Sequence, residues 1–145
     1  MKIEVRRACE CDIDFIAVLE RETFSLPESR EDFLKMLCDG EKVLLVATLD
    51  GAAVGYIAAY TVCRESDILT VATDPAFRKM GVGRALLLAL FDALHGKSDA
   101  IFLEVRVTNS AARHLYTACG FEEIGMRKNY YKLPTEDAVL YKKDL

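Results

Sequence analysis

The sequence predicts a mixed α/β domain in which a central sheet, parallel in part and antiparallel in part, is flanked by helices. Three observations carry this expectation. Strand-like and helix-like segments alternate along the chain, Asp50-Gly51 joins two runs rich in branched and aromatic residues, and one long amphipathic segment stands between two strand-like ones. A two-residue hairpin makes antiparallel neighbours and a strand–helix–strand unit makes parallel ones, so the sheet has to be mixed.

Each element follows from its own residues. Ile3 and Val5 alternate with charged residues as a short strand, and Asp12 caps an apolar helical segment running to about Phe24. A second helix follows Pro27, with Phe33, Leu34, Leu37 and Cys38 on one face. Val43 to Leu49 and Ala53 to Val62 are the two arms of the hairpin. A strand from Asp67 to Thr73 ends at Asp74-Pro75, and a helix from about Gly81 to His95 places positions 82, 85, 86, 89, 90 and 93 on one face before closing at Gly96. From Ala100 to Val107, Ile101, Leu103, Val105 and Val107 share one side of a strand, while Phe102, Glu104 and Arg106 share the other. Asn109 or Ser110 opens a helix that stops at Gly120. Phe121 to Gly125 and Ala138 to Lys142 are closing strands around a polar loop that bears the tyrosines.

The chain has 145 residues, 52% hydrophobic and 29% charged, which excludes disorder, collagen-like repeats and coiled-coil composition. With no repeat or Gly/Ser/Pro-rich linker, residues 1–145 read as one domain. Its 19 basic and 23 acidic residues leave a net charge of −4, so the basic footprint of a nucleic-acid binder is missing. The longest apolar run, Ala85 to Phe91, is far short of the roughly 20 residues that span a bilayer. The N-terminal stretch Met1 to Arg7 lacks the apolar segment of a signal peptide, and the expectation is a soluble, unprocessed, cytoplasmic protein. Five cysteines (9, 11, 38, 63 and 119) without a disulfide-framework spacing are expected as reduced, buried small apolar residues. Cys9-x-Cys11 is the one close pair, and with only His95 and His114 to help, no metal site is expected.

Chemistry concentrates in Arg78-Lys79-Met80-Gly81-Val82-Gly83-Arg84, between a strand and a helix. Its glycines let backbone N–H groups approach an anion at the positive end of the helix, and its basic residues suit a pyrophosphate. A Rossmann fingerprint would need glycine where Leu86 stands, and a P-loop would need Lys where Arg84 stands, so neither standard nucleotide motif fits. On physical grounds the segment reads equally as a phosphate cradle or as a glycine-containing turn capping a helix.

Arg/Gln-x-x-Gly-x-Gly/Ala at this position resembles the acetyl-CoA signature of the GNAT N-acetyltransferases, and the resemblance covers essentially the whole chain. Within the family it is most similar to the ribosomal-protein-alanine N-acetyltransferases, through Val71-Ala72-Thr73-Asp74-Pro75, Leu103 to Ala112, Leu115-Tyr116 with Gly120-Phe121, and Arg127-Lys128-Asn129-Tyr130-Tyr131. The resemblance implies the GNAT fold, with acetyl-CoA as co-substrate and no metal. It implies that the backbone of Val71, Ala72 and Thr73 pairs with the pantetheine arm, and that the pyrophosphate sits on the amides of Lys79, Met80, Gly81, Val82 and Gly83, flanked by Arg78 and Arg84. It further implies that Asn109 contacts the cofactor, Glu104 is the general base and Tyr116 the general acid. Tyr130 and Tyr131 either pack or contact substrate.

Three positions depart from the subgroup's habit: the chain has no Trp after the first helical region, Thr70 stands where Asn is common, and Pro134 to Asp137 lacks a glycine. All three fall near the expected acceptor groove. The expected reaction is direct transfer of acetyl to a protein N-terminal amine, a ribosomal protein being the favoured acceptor, with no nucleic-acid or membrane partner. A small-molecule or lysine amine is the second reading, and a non-catalytic acyl-CoA-binding module the third. An acetyl-cysteine intermediate is disfavoured because no histidine is grouped with Cys63 or Cys119.

Overall fold

Residues 2–145 are described by a computed structural model, and the element order is the expected one. It runs β1 (Ile3–Arg7), α1 (Ile13–Thr23), α2 (Arg30–Cys38), β2 (Lys42–Leu49), β3 (Ala52–Val62), β4 (Glu65–Thr73), α3 (Val82–Leu94), β5 (Ala100–Arg106), α4 (Ser110–Ala118), β6 (Glu122–Tyr131) and β7 (Glu136–Asp144). The seven strands form one sheet in the order β1-β2-β3-β4-β5-β7-β6, antiparallel except where β4 meets β5. The parallel pair is the one joined through α3, as a crossover requires. Among the described residues no helix is long and apolar enough to cross a membrane.

Local signals set several element ends. Ser29 caps α2 by accepting from the Asp32 amide while the Asp32 carboxylate accepts from the Ser29 amide, a reciprocal box. Asn109 caps α4, its side-chain oxygen accepting from the Ala112 amide at 3.2 Å. Gly81 caps α3 in the left-handed region at φ 88°, where a Cβ would be strained.

One core lies between the sheet and the helices α3 and α4, and the other between the sheet and α1 and α2. The stripe that α3 buries is Val82, Leu86, Leu87, Leu90 and Leu94, whereas 85, 89 and 93 are only half-buried. The helix is thus rotated from the expected face, because its 82-86-90-94 row lies on the sheet. On α1 the buried row Ile13, Ile16, Ala17 and Glu20 has helical spacing, and its last member is a carboxylic acid.

Two expectations are corrected. The tyrosine-bearing segment is strand, not loop: β6 continues through Tyr130 and Tyr131, with an irregularity between Arg127 and Tyr131 where Asn129 turns to positive φ. Its residues are largely polar because β6 is the sheet edge, where period-two burial is lost. The cysteines are not core residues: Cys9, Cys11, Cys38 and Cys63 are exposed and Cys119 is half-buried. They sit at helix and strand ends, where the chain leaves the core. Cys9 and Cys11 bring their sulfurs to 2.8 Å, beside Asp12, whose carboxylate is committed to both guanidinium nitrogens of Arg6 and to the Cys9 amide.

Candidate active site

β4 and β5 pair over three positions only, Glu65 to Asp67 against Ala100 to Phe102, and then part. On its other side β4 stays paired with β3 as far as Thr73, with a bulge at Leu69 that bends the strand. Past Asp67, then, β4 has an edge that β5 does not cover. The gap between the two strands opens into a groove of about 510 Å³. Val71, Glu104, Asn109, Tyr116, Tyr130 and Tyr131 all line it, so the structure brings together six predicted residues from four elements and an adjoining cap. Ala72 is buried in the sheet, and Thr73 ends β4 beside the glycine turn.

The turn itself leads from the end of β4 to the start of α3. Arg78, Lys79, Met80, Gly81 and Arg84 are exposed, and Lys79 and Gly81 both have positive φ. These two positive-φ residues turn the chain just ahead of α3, and the first turn of that helix carries no acidic residue to oppose an anion. Val82 points its side chain into the core, so only its backbone is available to a ligand. Gly83 has a packing role of its own, because a Cβ there would come within 2.8 Å of the Leu115 side chain. The second glycine of the motif therefore lets α3 and α4 approach, besides keeping the turn open.

Glu104 stands on β5 on the face away from the aliphatic row, as expected, with its side chain 31% exposed. The Arg127 Nε lies 3.8 Å from its carboxylate. Tyr116 is 5% exposed, packed edge-on against Phe121 and at a tilt against Tyr141. Among the described residues no buried side-chain polar atom lacks a partner, so the Tyr116 hydroxyl, which bonds to no other side chain, reaches the groove. Burial, with the Tyr131 phenol adding to it, pushes its pKa well above the usual tyrosine value. Exclusion of water from the packed ring is the cause. Burial, followed by the nearby charge of Glu104, pushes the Tyr131 phenol up to about 12. Tyr130 is 47% exposed and meets the Tyr131 ring edge-on at 5.1 Å. Asn109 faces the groove while capping α4, which gives it a structural role in addition to any contact with a ligand.

Two groove residues escaped the sequence reading. Glu20 is 3% exposed, and its carboxylate accepts from the Tyr56 hydroxyl at 2.6 Å, the Thr70 hydroxyl at 2.6 Å and the Glu28 amide at 3.0 Å. It joins α1, β3, β4 and the α1–α2 connection at the groove floor. Its place on the buried stripe of α1 was the available signal. Arg106 shares the face of Glu104 two residues on, and bonds to Ser25, Lys132, Pro134 and Glu136. Strand parity could have shown its direction, but its partners lie far away in sequence.

The model of the Acetyltransferase (GNAT) family matches residues 13–121. The chain is 37% identical over 98 residues to "N-alpha-acetyltransferase RimI" of Mycobacterium tuberculosis, covering 65% of this chain and 61% of that protein. It is 36% identical over 121 residues to "[Ribosomal protein bS18]-alanine N-acetyltransferase" of Escherichia coli, covering 82% and 79%. The crystal structure of the ribosomal-protein-S18-alanine N-acetyltransferase from Escherichia coli superposes with a TM-score of 0.88 at 27% identity, over 99% of this chain and 94% of that one. The chain spans only 38% and 61% of the lengths of two mycobacterial relatives it matches.

Proposed function

The chain belongs to the acetyltransferase (GNAT) family, and from that premise we propose that it moves acetyl from acetyl-CoA directly to the α-amine of a protein N-terminus in the cytoplasm. A ribosomal protein is the favoured acceptor, because the relatives named for such an acceptor align over most of the chain. One observation carries the reading: the parting of β4 from β5 makes a single groove that an uncovered strand edge, a carboxylate and a phenol all face.

In this reading the pantetheine arm pairs with Val71, Ala72 and Thr73, and the pyrophosphate rests on the amides of residues 79–83 between Arg78 and Arg84. The amine must be neutral to attack. At pH 7 an α-amine of pKa near 8 is roughly one tenth neutral, and a lysine near 10.4 is under one thousandth neutral. Glu104 takes the proton the amine loses, directly or through water. The amine nitrogen bonds to the thioester carbon, and an amide on the free edge of β4 at Val71 or Ala72 donates to the oxyanion. The C–S bond then breaks. Because the Tyr116 phenol holds its proton tightly, it meets the departing thiolate as a hydrogen-bond donor and shares that proton with the sulfur as charge builds on it. Tyr130 and Tyr131 wall the side where the acceptor enters.

The test is a panel at fixed acetyl-CoA, read by mass spectrometry: peptides with a free small N-terminal residue, the same peptides blocked but carrying an internal lysine, polyamines and aminoglycosides. The expected result is the highest kcat/KM for free N-termini, with the acetyl group mapped to the first residue. A small amine that outperforms every peptide would move the acceptor to another class.

A further inference from the structure

We infer that Arg106 is the positioning residue that holds both walls of the acceptor groove in register with Glu104. This deepens the N-terminal acceptor reading and rests on it. The two walls are separate pieces of chain: the connection between α1 and α2, which carries Phe24, Ser25 and Leu26, and the turn from Tyr131 into β7. Neither belongs to the paired part of the sheet near Glu104.

One guanidinium fastens both. Its Nη2 donates to the Ser25 hydroxyl at 3.3 Å and to the Lys132 carbonyl at 3.0 Å. Its Nη1 donates to the Pro134 carbonyl at 2.9 Å and to the Glu136 carboxylate at 3.2 Å. The carbon between them lies 4.6 Å from the centre of the Tyr131 ring. The walls are also joined to each other, since the Ser25 hydroxyl donates to the Lys132 carbonyl at 3.3 Å. Glu136 is fixed in turn by the Thr108 amide at 2.8 Å and by the Thr108 hydroxyl, just past the end of β5. The ion pair is largely withdrawn from solvent, with Arg106 25% and Glu136 13% exposed.

This task requires arginine. Four acceptors in two directions and a ring face match a planar fork of five donors, whereas a lysine ammonium is a point charge with three donors and no plane to stack. Arg106 sits two residues from Glu104 on the same face of the same strand, so whatever it holds is held relative to that carboxylate. A misplacement of about 1 Å between reacting groups can cost on the order of 10² in rate. The residues of the cofactor side, 71–73 and 78–84, make no bond to Arg106, so their affinity for acetyl-CoA should not depend on it.

The experiment compares the full-length protein with Arg106→Lys and Arg106→Met by amide hydrogen exchange, acetyl-CoA calorimetry and peptide kinetics. Amides of 24–28 and of 131–136 are expected to exchange at least about 10-fold faster in both variants, with those of 71–84 unchanged. Acetyl-CoA affinity should stay within about twofold, and the acceptor KM should rise about 10-fold or more, with lysine giving little rescue. Wild-type exchange in both segments of a folded Arg106→Met protein would overturn the proposal, and so would loosening of one segment alone. Full rescue by lysine would also overturn it, because charge alone would then suffice. If Arg106→Met fails to fold, Arg106→Lys carries the same comparison. Exchange does not depend on which amine is acetylated, so a wild-type protein inactive on every peptide would sink the acceptor reading and leave the exchange result to judge the clamp.

Discussion

Replacing Glu20 by alanine removes one carboxylate and strands three donors at once. The Tyr56 hydroxyl is fully buried and Thr70 is 7% exposed, so neither gains a water in exchange without a rearrangement of the groove floor. A buried donor left unpaired costs about 1–3 kcal/mol, and the Glu28 amide, part-buried, adds a smaller share. The expected loss is about 3–6 kcal/mol, out of a total of about 5–15 kcal/mol for a domain of this kind. At about 2–4 °C per kcal/mol for a chain near 150 residues, Tm should fall by roughly 6–24 °C. Glu20→Gln separates shape from hydrogen bonding. Its carbonyl oxygen still accepts from both hydroxyls, but its NH2 group faces the Glu28 N–H and one bond is lost, so about 1–2 kcal/mol is expected. Tyr56→Phe removes one donor and strands none, and should cost about as much. Urea unfolding with linear extrapolation measures all three. A Glu20→Ala protein within about 0.5 kcal/mol of wild type would refute the reasoning, since no buried network of this kind could then be present.

The remaining predictions concern catalysis and acid. Glu104→Gln keeps the shape of the side chain and removes its basicity, so acetyl-CoA binding should persist while kcat/KM drops by about 10²–10⁴, the deficit shrinking as pH rises and the amine arrives neutral. Wild-type turnover at pH 7 would make Glu104 a solvated strand residue. Tyr116→Phe should slow the reaction with no such rescue, and recovery at high pH would remove the phenol from the leaving-group step. Hydrogen bonds from Arg6 hold the Asp12 carboxyl below its ordinary value, with the Cys9 amide adding to the effect. A carboxylate depressed on folding stabilises fully above its unfolded pKa, near 3.9, and loses that contribution as pH falls through the lower folded value. The gap in urea midpoint between wild type and Asp12→Asn should therefore be constant above about pH 5 and close toward pH 2. A gap that widened on acidification would reverse the sign and exclude the Arg6 pair as its source.

Much of the molecule was legible because its signals are local. The element order, the hairpin at Asp50-Gly51 and the cap at Asn109 follow from residues within a few positions of one another, where turn geometry and capping bonds act. Strand parity put Glu104 opposite the aliphatic row, and the glycine turn could be found because a strand, a positive-φ glycine and a helix start are contiguous. Other features depend on which segments meet. The early parting of β4 from β5 is a property of pairing between residues more than thirty positions apart in the chain, and no periodicity within either strand records it. The exposure of the cysteines, the rotation of α3 and the extension of β6 through the tyrosines were decided by what packs alongside, which composition does not contain. Glu20 and Arg106 are the sharpest cases. Taken alone, each reads as a solvated charge on a helix or strand, and each acquires its role only when the folded chain brings donors or carbonyls from 36 and 28 residues away into hydrogen-bond range. Short-range sterics and bonding wrote the elements into the sequence, and desolvation within the assembled groove decided what its charged residues do.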